Sequence, residues 1–235
     1  MAAKSVSETQ RDVVPAKSEH LLEASEVLCV KRIFDVLGSI FLLVLSCPIM
    51  LLEALVVRVA LGRPIIFRQR RPGLHGKLFT LYKFRTMTDE RDENGGLLPD
   101  EERQSAVGDW LIRLSVDELP ELYNVLKGDM SLVGPRPLLE DYLERYTLEQ
   151  ARRHAVKPGI TGLAQISGRQ ALTFGQRIAK DIYYVEHWSL WLDLKILLLT
   201  IPKVVFRQGI KPDQQIDEVD DIGLSSESTL GRNRA

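Results

Sequence analysis

Asp117 and Glu118 are adjacent carboxylates in the hexapeptide Ser115-Val116-Asp117-Glu118-Leu119-Pro120, and Ser115 and Glu118 stand at capping-box spacing. The spacing predicts a helix that starts at Ser115 with both acids in its first turn. There the helix dipole favours the ionised form, and an ionised carboxylate can act as a nucleophile or as a hard oxygen ligand for Mg2+. Acids in a first turn are also ordinary capping, so the hexapeptide alone leaves both readings open. A second group, Gly134-Pro135-Arg136-Pro137, holds one guanidinium between two prolines. The fixed backbone leaves the planar fork of Arg136 little freedom to lose, which suits bidentate recognition of phosphate oxygens, and it equally suits a rigid surface turn. Pro158-Gly159-Ile160-Thr161-Gly162 continues through Gln165 to Ser167-Gly168-Arg169. Closely spaced glycines let a backbone approach a ligand, and Arg169 adds a cation. Lys77, Lys83 and Arg85 alternate with Phe79, Tyr82 and Phe84, a mixture that fits a single-stranded nucleic-acid groove or, beside a membrane, anionic headgroups or a phosphorylated lipid. Asp193 is a carboxylate in an otherwise apolar segment, placed by periodicity on the solvated face or else turned toward the catalytic centre.

Other chemistries lack their motifs. The chain contains no GxxxxGK[ST], GxGxxG, HExxH or GxSxG, and its four histidines have no metal-ligand spacing. Cys29 and Cys47 are too few for a disulfide framework or a Cys-rich zinc site and point to the reducing cytosol. With 31 basic against 32 acidic residues the net charge is -1, which excludes a globally basic nucleic-acid binder. At 235 residues, 45% of them hydrophobic, the chain can bury the core of one large domain with ragged ends.

The elements that must position these residues segregate along the chain. Residues 1 to 20 are small, polar and without apolar period, and Gln208 to Ala235 carries six acids against three bases; both ends are expected to be disordered. Val36 to Leu52 is an uncharged run of 17 residues. As a helix it measures about 26 Å against roughly 30 Å of hydrocarbon, with Pro48 inside it to bend or break it. Lys31 and Arg32 precede the run and Arg58, Arg63, Arg68, Arg70 and Arg71 follow it, so the positive-inside rule pulls both ends to one side. The expectation is a re-entrant hairpin over residues 31–62 that dips into one leaflet, the rivals being a buried helix and a straight span. Lys77 to Met87 alternates and reads as a strand after the Pro72-Gly73 turn; Asp89 to Glu102 reads as a loop. Trp110 to Leu126 reads as helix closed by Lys127-Gly128, with further helices at Leu138 to Tyr146 and Phe174 to Glu186. His187 to Phe206 reads as an amphipathic helix at a membrane interface, its Trp188, Trp191, Leu194, Lys195 and Leu198 on one side, or as a core helix. The fold class is therefore α+β and mainly helical: an N-terminal extension over 1–30, the membrane hairpin, a small cytosolic domain over 63–207, and an acidic tail over 208–235.

Taken in order, these segments resemble the bacterial sugar transferases, the monotopic phosphoglycosyl transferases. The resemblance runs from Lys31-Arg32-Ile33-Phe34-Asp35 to about Arg207 and includes Arg71-Pro72-Gly73, Tyr82-Lys83-Phe84-Arg85-Thr86-Met87, Asp117-Glu118-Leu119-Pro120, Leu126-Lys127-Gly128-Asp129-Met130-Ser131, Gly134-Pro135-Arg136-Pro137, Pro158-Gly159-Ile160-Thr161-Gly162 and Asp193-Leu194-Lys195. It is most similar to the minimal members, which lack the multi-span amino-terminal domain of the larger ones. The resemblance implies that Asp117 attacks the β-phosphate of a UDP-sugar, releases UMP, and hands the phosphosugar to undecaprenyl phosphate, initiating a glycoprotein, capsule, exopolysaccharide or O-antigen pathway. It also implies Mg2+ held by Glu118 and Asp193, Arg136 on the diphosphate or lipid phosphate, and Lys83, Arg85 and Arg169 on phosphate or nucleotide. The expected setting is the bacterial inner membrane with the domain on its cytoplasmic face, among phospholipid and downstream glycosyltransferases and without nucleic acid. One departure is Cys47-Pro48 where the family's membrane helix often carries Ser-Pro; Cys47 is expected to be an apolar, structural thiol.

Overall fold

The computed structural model describes residues 14–168, 171–205 and 220–223. It is mainly helical with two small sheets. Helix α1, Val14–Ala60, is one continuous element with Pro48 inside it, and it begins within the segment expected to lack structure. Leu28–Ala60 is long and apolar enough to cross a membrane, its most apolar 18-residue stretch having mean hydropathy 2.6. Its outward side chains, among them Val44, Leu51 and Val59, are exposed, as are Cys29 and Cys47. Its inward stripe is polar as well as apolar: Asp35, Ser39, Ser46, Glu53 and Val57 recur at helical spacing and are all buried. Proline leaves the Val44 carbonyl without its helical donor, while one turn earlier Ser46 Oγ donates to the Leu42 carbonyl at 2.7 Å.

Three residues at the start of the stripe clamp α1 to the domain. Lys31 Nζ lies 2.6 Å from Asp193. Arg32 donates to the carbonyls of Val125 and Leu126 at 2.6 and 2.7 Å, closing the C-terminus of a domain helix. Asp35 accepts from the Ser131 hydroxyl and the Leu132 amide, both at 3.0 Å.

Strands β1, Ile66–Pro72, and β2, Leu78–Phe84, form an antiparallel pair from Ile66 opposite Phe84 to Pro72 opposite Leu78. Helices α2, Asp100–Arg103, and α3, Ala106–Leu114, lead to a break at Ser115; α4, Glu121–Lys127, follows and ends on Gly128 at φ 95°. Strand β3, Ser131–Val133, pairs in parallel with β4, Gly159–Thr161, and α5, Leu148–Ala151, lies between them in the chain. Leu138 to Tyr146, expected as a helix, holds a 3-10 turn over Glu140–Arg145. Helix α6, Leu163–Ser167, precedes α7, Phe174–Glu186, and α8, Leu190–Val205. The main core joins β2, α4, β3, α7 and α8 through Leu81, Leu122, Val125, Met130, Tyr184 and Ile196.

Two expectations are corrected. Trp110 to Leu126 is not one helix, and no helix starts at Ser115. That residue caps α3 in the left-handed region, φ 55° and ψ 24°, rather than in the extended geometry an N-cap needs, and Pro120 stands at the N-cap of α4. Asp117 and Glu118 therefore sit in the turn between two helices. The acidic tail lies mostly outside the described residues, but its 220–223 segment is ordered against the domain. Asp221 accepts from the Thr173 hydroxyl at 2.6 Å and the Gly175 amide at 2.8 Å, and Ile222 packs beside Tyr142, Phe174 and Ile178.

Candidate active site

The turn that carries Asp117 is tied to the sheet. The Phe84 amide donates to the Asp117 carbonyl at 2.9 Å, extending β2 into the turn. Buried Asn124 locks α4 to the same strand, accepting from the Tyr82 amide at 3.1 Å and donating to the Thr80 carbonyl at 2.7 Å. This docking brings Lys83 of β2 over the acids: its Nζ is 2.8 Å from Glu118 Oε1 and 3.1 Å from Glu121 Oε1.

Arg136 closes the group from the opposite side. Its fork meets Glu118 through both nitrogens, Nη1 to Oε2 at 3.3 Å and Nη2 to Oε1 in a short contact. Its backbone is held from behind, because Arg153 donates to the Arg136 carbonyl at 2.7 Å while pairing with Asp181 at 2.7 Å and with the Tyr146 hydroxyl at 3.0 Å. The motif glycines serve this placement. A side chain on Gly134 or Gly159 would strike the backbone of the other segment, so Gly134-Pro135-Arg136-Pro137 and Pro158-Gly159-Ile160-Thr161-Gly162 lie backbone to backbone. Close approach of backbone to backbone is what these glycines do.

Three carboxylates thus face two cations. Burial first, and the charge of Glu118 second, push the Asp117 carboxyl up to about 6 against the pull of Lys83 and Arg136. Burial also opposes the charge on Glu118, but Arg136 and Lys83 outweigh it and hold that carboxyl well below its usual range. Glu121 is pushed up to about 7 by burial, with Lys83 opposing and Glu118 adding to the shift. The arrangement fixes one permanently ionised acid, Glu118, beside one poised near neutrality, Asp117. Such an acid can attack an electrophilic phosphorus, while the flanking cations neutralise phosphate oxygens.

A cavity of about 1000 Å³ opens from this cluster. Lys83, Asp117, Glu118 and Arg136 form its polar end. Phe41, Leu45 and Ile49 of α1 face Leu197, Ile201 and Val204 of α8 along its apolar wall.

The residues singled out by sequence divide. Asp117, Glu118, Lys83 and Arg136 come together. Arg85 does not join them: its buried guanidinium pairs with Asp89 at 2.6 Å and donates to the carbonyls of Leu61 and Arg63, fastening the end of α1 to the sheet. Asp193 is corrected in its placement. It is fully buried, not on a solvated face, and its oxygens are committed to Lys31 at 2.6 Å, the Tyr184 hydroxyl at 2.6 Å and the Trp188 indole at 3.2 Å. In this structure it clamps α1 to the domain. Among the described residues no cluster of three or more His, Cys, Asp or Glu has the arrangement of a metal cage. Arg169 lies outside the described residues. Sequence reasoning missed Glu121, Arg153 and Asp181. Glu121 carried a usable signal, the i, i+3 spacing from Glu118 across Pro120.

The chain has relatives among known proteins. The model of the bacterial sugar transferase family matches residues 26–207. An uncharacterised sugar transferase of Bacillus subtilis, EpsL, is 57% identical over 189 residues, covering 80% of this chain and 94% of that protein. The UDP-glucose:undecaprenyl-phosphate glucose-1-phosphate transferase of Caulobacter vibrioides is 43% identical over 185 residues, 74% of this chain and 69% of its own length. The undecaprenyl-phosphate galactose phosphotransferase of Salmonella typhimurium is 42% identical over 197 residues, 76% of this chain but 41% of its own length, so the chain spans less than half of that relative.

Proposed function

The chain belongs to the bacterial sugar transferase family and is a transferase; from that premise we propose that it moves a sugar-1-phosphate from a UDP-sugar to undecaprenyl phosphate through a covalent phosphosugar on Asp117. A carboxylate oxygen of Asp117 forms a bond to the β-phosphorus of the donor, and the bond from that phosphorus to the bridging oxygen breaks, UMP leaving with the electron pair. A phosphate oxygen of undecaprenyl phosphate then attacks the same phosphorus and releases the Asp117 carboxylate. The observation that carries this reading is a cavity that joins a charged end at Asp117 to an apolar wall built by α1 and α8. A water-soluble donor and a lipid acceptor need those two surroundings at one point.

Arg136 and Lys83 supply positive charge to the equatorial phosphate oxygens, and Glu118 holds both in place. Glu121, when protonated, leaves Lys83 more available to substrate. The donor set suits Mg2+, because the hard carboxylates of Asp117, Glu118 and Glu121 outnumber the cations Lys83 and Arg136 by one, an acidic excess that a divalent cation offsets. When bound there, Mg2+ would neutralise charge on the diphosphate as the UMP oxygen departs.

Membrane placement follows the same logic. Exposed apolar side chains cover the outer faces of α1 and α8, including Val44, Leu51, Leu55, Trp191 and Leu198. With basic residues at both ends of its apolar run, α1 enters and leaves one leaflet of the bacterial inner membrane, the domain stays on the cytoplasmic face, and α8 lies in the interface. The test is a panel of UDP-sugars with undecaprenyl phosphate and Mg2+, scored by UMP formation. One donor should give UMP, and donor alone should add the mass of a phosphosugar to the peptide bearing Asp117. No UMP from any donor, or no added mass, overturns the reading.

A further inference from the structure

Arg177 lines the same cavity as Asp117 and has no part in the mechanism above. It stands near the start of α7, four residues before Asp181, so the two side chains share one face of that helix a turn apart. Asp181 fixes which way that face looks. Arg153 joins it to the Arg136 carbonyl, through contacts of 2.7 Å at each end. Arg177 is thereby set beside the loop that carries Arg136.

Its guanidinium is held before any ligand arrives. Nε donates to the Leu172 carbonyl at 2.9 Å, and the group lies over the Phe174 ring, 5.2 Å from its centre. Tyr142 meets that ring edge-on at 5.6 Å, and Ile222 of the acidic tail packs against the same cluster. An arginine so seated has little side-chain freedom left to lose on meeting a ligand. Burial first, and the charge of Arg136 second, lower the Arg177 pKa below its usual value, with Asp181 opposing. Two guanidinium groups bordering one cavity repel each other, and an anion between them turns that repulsion into attraction.

A diphosphate is the fitting anion, because it spreads its charge over two linked phosphates, and planar forks match phosphate oxygens. Arg136 and Lys83 serve the phosphorus that Asp117 attacks, which leaves the neighbouring phosphate of the donor to a further cation. We propose that Arg177 binds the donor through the phosphate that leaves as part of UMP. The proposal rests on the transferase reading above and adds a residue of α7 to it. The lipid acceptor is met elsewhere, since the apolar wall of the cavity belongs to α1 and α8. A cation on the departing phosphate also stabilises the charge that develops there as the bridging bond breaks.

The test is UDP and UMP binding to the full chain in detergent, followed by titration calorimetry with Mg2+ present. Wild type, Arg177→Gln and Arg177→Lys are compared, and thermal unfolding without ligand verifies that each is folded. Arg177→Gln should weaken UDP binding by about 10- to 100-fold, the loss expected for a hydrogen bond between charged groups. UMP, which keeps only the departing phosphate, should lose the same factor. In UMP release the donor KM should rise while the acceptor KM holds. Arg177→Lys keeps the charge without the fork and should show a loss of no greater size. Wild-type UDP affinity in Arg177→Gln, or in Arg177→Lys should Arg177→Gln not fold, overturns the proposal, as does a wild type that binds no UDP. A loss confined to UDP, or a rise confined to the acceptor KM, overturns it equally. UDP binding that needs Arg177, without UMP from any donor, defeats the transferase reading, whereas UMP release with unchanged UDP affinity in Arg177→Gln defeats this contact alone.

Discussion

Asp193 and Asp117 are both buried carboxylates, yet their surroundings differ in kind. Around Asp193 every oxygen has a partner, from Lys31, Tyr184 and Trp188, and the group joins α1, α7 and α8 into one body. Around Asp117 the charges do not balance, because Glu118 and Glu121 share two cations with it. The difference teaches that closure marks structure and surplus marks chemistry: a group with nothing left to bind holds a fold together, and a group short of partners waits for a ligand.

Substitutions that remove one member of either centre test that contrast. Asp117→Asn keeps the shape and removes the nucleophile, so UMP release should fall by on the order of a thousandfold or more, with the unfolding midpoint held or raised. Asp193→Asn should do the reverse. Lys31 then keeps only the more distant Asp35, at 3.6 Å, so the change costs about 3 kcal/mol of stability, read by denaturant unfolding, while UMP release per folded molecule stays at the wild-type level. Arg136→Lys removes the two-pronged contact with Glu118 and should lower kcat/KM by about a hundredfold, the loss expected for one charge-stabilising donor. The smallest effect is that of pH. Protonation of Asp117 removes the attacking form, so kcat/KM should drop about tenfold per unit as pH falls below about 6 and level off above it. In Asp193→Asn that profile should keep its inflection, since Asp193 does not reach the cluster.

Much of the site was legible in the residues themselves. Asp117, Glu118, Lys83 and Arg136 stand in local patterns whose chemistry needs no long-range contact to suggest it, and they meet. The elements carrying them were legible where one periodicity ruled: β2 falls inside Lys77 to Met87, and α7 spans Phe174–Glu186 as its pattern predicts. Other features were hidden for physical reasons. Strand β1 escaped because Arg68, Arg70 and Arg71 belong to a largely exposed strand with no apolar alternation to betray it. The break at Ser115 escaped because capping-box spacing is met there, while Glu118 is drawn to Arg136 and Lys83 instead of turning back to cap. The burial of Asp193 was hidden because its partner Lys31 lies 162 positions away in the chain, which no local spacing can report. Glu53 sits one residue beyond the uncharged run, where the charge is visible and its burial is not.

The contact of Asp221 with the start of α7 has a practical side. A carboxylate from beyond the domain sits on the Gly175 amide and the Thr173 hydroxyl, at the positive end of the helix that bears Asp181 and Tyr184. Trimming the chain before residue 220 to aid crystallisation, or splicing a reporter in at that point, would strip this counter-charge from α7, so fusions and purification tags belong after Gly223.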